Sequence, residues 1–166
     1  EAKSAAVNSA CLSRQVGASI ISNNGELLST GWNDVPKFGG NLYTSDDGQE
    51  DKRCYKQGKC FNDQNKSDIK KYINSEFKRK IVLDDLLPLG HGIDQKEYLG
   101  ISDKISNLLN EVIEKSSIKS LIEFSRSVHA EMHAIINAGN INGDKIKGGI
   151  LFCTTYPCHN CARHII

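Results

Sequence analysis

Two short segments of this chain carry residue types that can do chemistry together. One is His129-Ala130-Glu131. The other is Pro157-Cys158-His159-Asn160-Cys161, whose proline stands 26 positions after Glu131. A Cys-x-x-Cys alone fits a redox pair, half of a structural zinc site or part of an active site. Adding the upstream segment narrows the choice. Cys158 and Cys161 stand at i and i+3 where a helix is expected to begin, so their sulfurs share a face. A helix N-terminus favours the anionic thiolate. His129 adds a neutral imidazole. Three protein ligands on Zn²⁺ leave its fourth tetrahedral position for water, as in catalytic sites, and lower that water's pKa toward ~7. Glu131, close to the ligand yet outside the ligand set, can take the water's proton and pass it to a leaving amine.

These residues must be positioned by a scaffold. Residues 2–12 read as a short Ala-rich helix. The runs 16–22 and 26–33 read as strands about Asn23-Asn24-Gly25, a hairpin signal. Residues 34–66 are rich in Gly, Asp, Asn and Lys and read as loop. A helix is predicted over 67–80, with Ile69, Tyr72, Ile73 and Phe77 as its apolar stripe, and irregular chain over 84–100. A second helix is predicted over 101–115, with a buried face of Ile101, Ile105, Leu108, Leu109 and Val112. Helix 129–140, stopped by Gly139-Asn140, carries the first segment. A strand of buried character, 148–156, leads into the second. A strand–helix–strand crossover of this kind predicts parallel pairing in a mixed sheet.

Bulk properties exclude several classes. The chain has 166 residues, 39% hydrophobic and 25% charged, enough for one domain with a core. The formal net charge of +1 does not point to nucleic acid. No apolar run approaches the ~20 residues of a membrane span. The N-terminal stretch has no apolar signal-peptide core, so the expected setting is cytoplasmic and the six cysteines are expected as thiols or metal ligands. The chain starts without Met and stops at Ile165-Ile166 just after a helix begins. It is therefore expected to be a fragment of a longer polypeptide, truncated at its C-terminus.

His-x-Glu followed by Pro-Cys-x-x-Cys is the signature of zinc nucleobase deaminases. The chain resembles the cytidine/deoxycytidylate deaminase superfamily, most of all its deoxycytidylate deaminases, over 13–36, 129–135 and 151–166. The resemblance implies an α/β fold: a cytidine-deaminase-like three-layer sandwich, its mixed sheet flanked by helices. It makes 1–166 one truncated deaminase domain with a long insertion at 37–128. It implies hydrolytic deamination of dCMP or dCTP, with Zn²⁺ held by His129, Cys158 and Cys161 and Glu131 moving protons. It assigns Asn33 to the nucleotide's sugar and places Ala130 and Tyr156 in the substrate pocket. It further implies a homo-oligomer under nucleotide control, with the insertion shaping a subunit contact or a regulatory nucleotide site. A second, structural zinc would draw on Cys11, Cys54, Cys60 and His91, with free thiols as the alternative. The histidine the family carries just before His-Ala-Glu is absent here, where Ser127 and Val128 stand.

Rival readings remain. tRNA adenosine deaminases share both segments but are compact where Asn33 and His129 lie 96 positions apart. A zinc-stabilised binding module without catalysis would not need Glu131. Bacterial antiviral deaminases with a P-loop kinase-like domain resemble the chain in its long insertion. No Gly-x-x-x-x-Gly-Lys-Ser/Thr occurs here, so such a domain, if present, lies outside these 166 residues. His133 is expected to hydrogen-bond near the ligands, Cys153 to lie in the core, and Arg14 to be an exposed arginine or to meet a phosphate.

Overall fold

The computed structural model describes residues 1–83, 95–122 and 124–166. They divide into two compact units, one of 1–61 with 125–166 and the other of 62–124.

The first unit is built on a hairpin of β1 (Gly17–Ile21) and β2 (Leu27–Trp32). Its turn works as the sequence suggests. Gly25 takes φ +83°, where a Cβ would be strained. Ser22 Oγ accepts the N–H groups of Asn24 and Glu26 at 3.2 and 3.1 Å. β3 (Ile150–Cys153) pairs antiparallel with the other edge of β1, giving the order β2-β1-β3. The expected parallel pairing is thus corrected among the described residues. β2 and β3 do run in the same direction, but β1 lies between them, so every ladder is antiparallel.

Side chains alternate between the two faces of the sheet. Ala18, Ile20 and Leu28 meet Ala130, Ala134 and Ala138 of α5 (Ala130–Asn142) in the core. Those alanines recur every four residues, a flat stripe that lets the helix lie close. Gly31 completes the fit: a Cβ there would stand 2.4 Å from the Ala130 carbonyl oxygen and from the Ala134 nitrogen. On the other face, α1 (Ala2–Ala6) crosses Gly17, where a Cβ would lie 2.0 Å from the Ala2 oxygen. Helix, sheet and helix make the three layers. α1 is five residues long, shorter than the expected 2–12, and does not shield all of its face. Phe152 and Ile150, paired with Ser19 and Ile21, stay 50% and 53% exposed. β3 is therefore half-open rather than buried as expected.

Residues 34–61 are not the plain loop that composition suggests. They hold a 3₁₀ turn at Ser45–Glu50, α2 (Cys54–Gln57) and the first residue of α3 (Phe61–Leu83). Thr44 and Asp47 form a reciprocal capping box on the turn. The second unit contains α3, α4 (Gln95–Lys115) and a 3₁₀ turn at Ser117–Ser120. Both helices exceed their predicted ranges. Residues 95–100, expected to be irregular, are helical, and 84–94 lie outside the described residues. α3 and α4 run antiparallel. Asn74 Nδ2 donates to Asn110 Oδ1 (2.8 Å), Lys66 Nζ to the Lys119 carbonyl (2.9 Å), and Lys70 pairs with Glu114.

Candidate metal centre and active site

His129 is the N-cap of α5 and Cys158 the N-cap of α6 (His159–Ile165). Both sit in extended backbone just before their helices. Cys161 follows in the first turn of α6 and is fully buried. The histidine Nδ1 lies 3.3 Å from Cys158 Sγ and 3.4 Å from Cys161 Sγ. Two ligands on one tetrahedral zinc, at ordinary Zn–N and Zn–S lengths, stand about 3.5 Å apart. The observed spacing fits that edge. Among the described residues this is the one trio of His, Cys, Asp or Glu whose ligand atoms all lie within 4.8 Å. Cys11, Cys54 and Cys60 are not gathered in that way, and His91 lies outside the described residues.

Glu131 stands in the first turn of α5, 2% exposed. Burial, then the Glu131 carboxylate, then Cys158 push the Cys161 thiol up. A thiolate there calls for a compensating positive charge, which suits a dication and a soft N/S donor set. Burial also pushes up the Cys153 thiol, with the Glu131 carboxylate adding to it. Cys153 is only half-buried, packed against the core.

Asn33 follows β2 directly and sits in a dense set of bonds. Its Oδ1 accepts from the Val16 N–H (2.7 Å) and the Ser9 hydroxyl (2.9 Å). Its Nδ2 donates to the Arg14 carbonyl at 2.8 Å. The oxygen is used up, and one amide hydrogen remains for a ligand. The Ala130 methyl lies in the core, so its backbone is the part a ligand could meet. Tyr156 is 94% exposed. Arg14 is exposed, its guanidinium donating to Thr155 Oγ1 at 3.2 Å. His133 does not reach the ligand trio. Its Nδ1 accepts the Trp32 N–H at 3.2 Å, and its ring packs edge-on against Trp32. Burial lowers its pKa, which keeps it neutral and tying β2 to α5.

Sequence reasoning missed a buried charged group. Arg53 grips Asp51 through Nε (3.0 Å) and a terminal nitrogen (2.8 Å), and stands 4.0 Å from Asp34. All three are under 7% exposed. The Arg53 guanidinium holds the Asp51 carboxyl down to about 2, against burial. Burial pushes the Asp34 carboxyl up, against N–H bonds from Ala10 and Val35. The Asp34 carbonyl accepts the Val128 N–H at 2.9 Å, one residue before His129. Nothing in the spacing of "DKR" at 51–53 marks a buried pair; a charged triplet in a polar stretch is usually a solvated face.

A three-layer α/β sandwich with a His/Cys/Cys trio at two helix starts, beside a buried carboxylate, is the architecture of the zinc-type deaminases. The profile of the cytidine and deoxycytidylate deaminase zinc-binding region matches residues 1–166, and the chain belongs to that family. It is 28% identical over 159 residues to the deoxycytidylate deaminase of Enterobacteria phage T2, and 27% identical over 161 residues to that of phage T4. Each match covers 95% of this chain, and the chain spans 65% and 64% of those two proteins. Among the described residues no helix is long and apolar enough to cross a membrane.

Proposed function

We propose that this chain carries the catalytic site of a zinc-dependent deaminase acting on a deoxycytidine nucleotide, dCMP or dCTP. The observation that supports it best is the His129, Cys158 and Cys161 trio beside buried Glu131. The two phage relatives favour the deoxycytidine nucleotide as substrate. Zinc on the trio would supply Lewis acidity and an acidified water near neutral pH. Glu131 takes the attacking water's proton and delivers protons to the base N3 and the leaving 4-amino group. The C4–N bond breaks, a C4 carbonyl forms, and ammonia leaves. The spare amide hydrogen of Asn33 donates to an oxygen of the sugar. Antiviral setting, oligomeric state and nucleotide control belong to this reading as expectations of the whole polypeptide.

The test is turnover by the intact protein of dCMP, dCTP, cytidine and a tRNA anticodon stem. The reading expects the deoxycytidine nucleotides to be preferred. Glu131→Gln should keep zinc and lose about 10²–10⁴-fold in kcat. Turnover of the tRNA alone, or a Glu131→Gln variant within about tenfold of the parent, refutes it.

A further inference from the structure

Arg14 joins the two loops that flank the candidate site. Its carbonyl is fixed by the Asn33 side chain. Its guanidinium reaches Thr155, three residues before Cys158. Thr155 is itself held in place, because its neighbour Thr154 pins to Gly17 through both N–H···O (3.0 Å) and Oγ1 (3.1 Å) contacts. Among the described residues no carboxylate pairs with Arg14. It is therefore an exposed cation tethered at one nitrogen, whose remaining N–H donors face solvent. The Thr155 hydroxyl accepts from Arg14 and keeps its own hydrogen as a donor. A fork of N–H groups beside a hydroxyl is suited to a phosphate monoester, which takes several charge-assisted hydrogen bonds at once.

Resting on the deaminase reading above, we propose that Arg14 and Thr155 bind the phosphate of the nucleotide, with Asn33 on the sugar between them and the trio. Arg14 then selects nucleotide over nucleoside and takes no part in the proton transfers. A second cationic spot competes for the role. Lys59 and Arg126 rest on the Phe61 ring, 4.8 and 4.6 Å from its centroid. Among the described residues no hydroxyl is hydrogen-bonded to either of them, and no hydrogen bond ties them to Asn33 or to the Cys158 loop.

The test measures kcat/KM for dCMP against deoxycytidine in the intact protein, together with calorimetric binding of the product dUMP against deoxyuridine. Arg14→Ala should cut the dCMP-over-deoxycytidine preference by about 10- to 100-fold, the scale of a lost charge-assisted contact. Most of that loss should fall in KM. Arg14→Lys should recover part of it, as a point charge without the fork. Thr155→Val should lose a few-fold. Arg14→Ala should also weaken dUMP binding more than deoxyuridine binding, a readout that needs no turnover. Equal losses for nucleotide and nucleoside overturn the proposal, as does dUMP binding unaffected by Arg14→Ala. Loss of the preference in Arg126→Ala instead would move the phosphate to the Phe61 cations and also overturn it. Failure of the deaminase reading would look different: no turnover of any cytosine compound, with the dUMP comparison still deciding the role of Arg14.

Discussion

Gly31 offers a direct link from packing to chemistry. It is the point where β2 meets α5, and α5 begins at the candidate metal ligand His129 and the proposed proton carrier Glu131. Gly31→Ala places a methyl 2.4 Å from the Ala130 oxygen and Ala134 nitrogen, and 2.9 Å from the Ala134 Cα. Ordinary contact begins near ~3.5 Å, so the shortfall is about 1 Å. The atoms met are helix backbone, which cannot rotate aside as a side chain would. Burying a methyl gains at most ~0.8 kcal/mol. Overpacking of this kind costs about 1–3 kcal/mol, so the clash wins. α5 must retreat, carrying His129 and Glu131 with it, and a 1 Å misplacement can cost ~10²-fold in rate. Urea unfolding, zinc affinity by chelator competition and turnover should all fall together. Gly139→Ala is the control on the same helix, since a Cβ there meets nothing within 4 Å. It should be neutral or stabilising by up to ~1 kcal/mol. Gly31→Ala within ~0.5 kcal/mol of the parent, with full activity, would refute the reasoning.

Two further outcomes follow from the site and its support. Cys161→Ser should empty the zinc site, measured by metal analysis, and lower stability, because the buried sulfur supplies both ligand and packing. Arg53→Met leaves Asp51 and Asp34 buried without their cation and should cost about 3–5 kcal/mol in urea unfolding. The parent's Asp51 carboxyl is depressed to about 2, so its contribution is present above the ordinary ~3.9 and is lost as pH falls toward 2. Asp34, pushed up by burial, acts in the opposite sense, being most favourable below its ordinary value and costing stability as pH rises. Unfolding measured from pH 5 to 2 should show the Asp51 limb in the parent and not in Arg53→Met.

The hairpin and the two helix starts that bring His129, Cys158 and Cys161 together were legible because local rules and tertiary structure agree there. Gly25 takes the positive φ its turn needs, and Cys158 and Cys161, three apart after Pro157, fall at one helix start. The sheet's pairing was not legible. A crossover fixes the relative direction of β2 and β3, but which strand lies between them depends on contacts distant in sequence. The burial of β3 was overestimated because an apolar run reports residue type and not the length of the helix opposite; α1 is too short to shield Phe152. The Asp51–Arg53–Asp34 group was invisible for a related reason. Its partners come from separate segments, and charge in a polar stretch carries no period. Asn33 is expected to meet a ligand, yet most of its hydrogen-bonding capacity goes to Ser9, Arg14 and Val16.

The root of the insertion explains how a site can tolerate so long an interruption between its parts, and where that interruption can be cut. The Asp34–Val128 bridge joins backbone 94 positions apart immediately before the candidate ligand His129. Once such a root is closed, each doubling of loop length costs only ~0.6 kcal/mol, so length alone weighs little on the site. What matters is which residues close it. Arg53 and Asp51 lie inside the stretch that composition marks as insertion, yet they are buried with Asp34 in the same unit as the trio. Phe61 and Arg126 are already in contact, the guanidinium 4.6 Å from the ring centroid, so a short linker can bridge Phe61 to Ser125. Deleting 62–124 in that way in the intact protein should keep zinc stoichiometry and the stability contributed by Arg53. Deleting 37–126, from Pro36 to Ser127, removes Arg53 and Asp51 and leaves the Asp34 carboxylate buried without its cation, at a cost of about 3–5 kcal/mol. Zinc retention should drop with it, since Val128 leads directly into His129. Equal zinc content and equal urea midpoints in the two deletions would show that the buried charges do not hold the root, and that residues 37–61 are dispensable to the site.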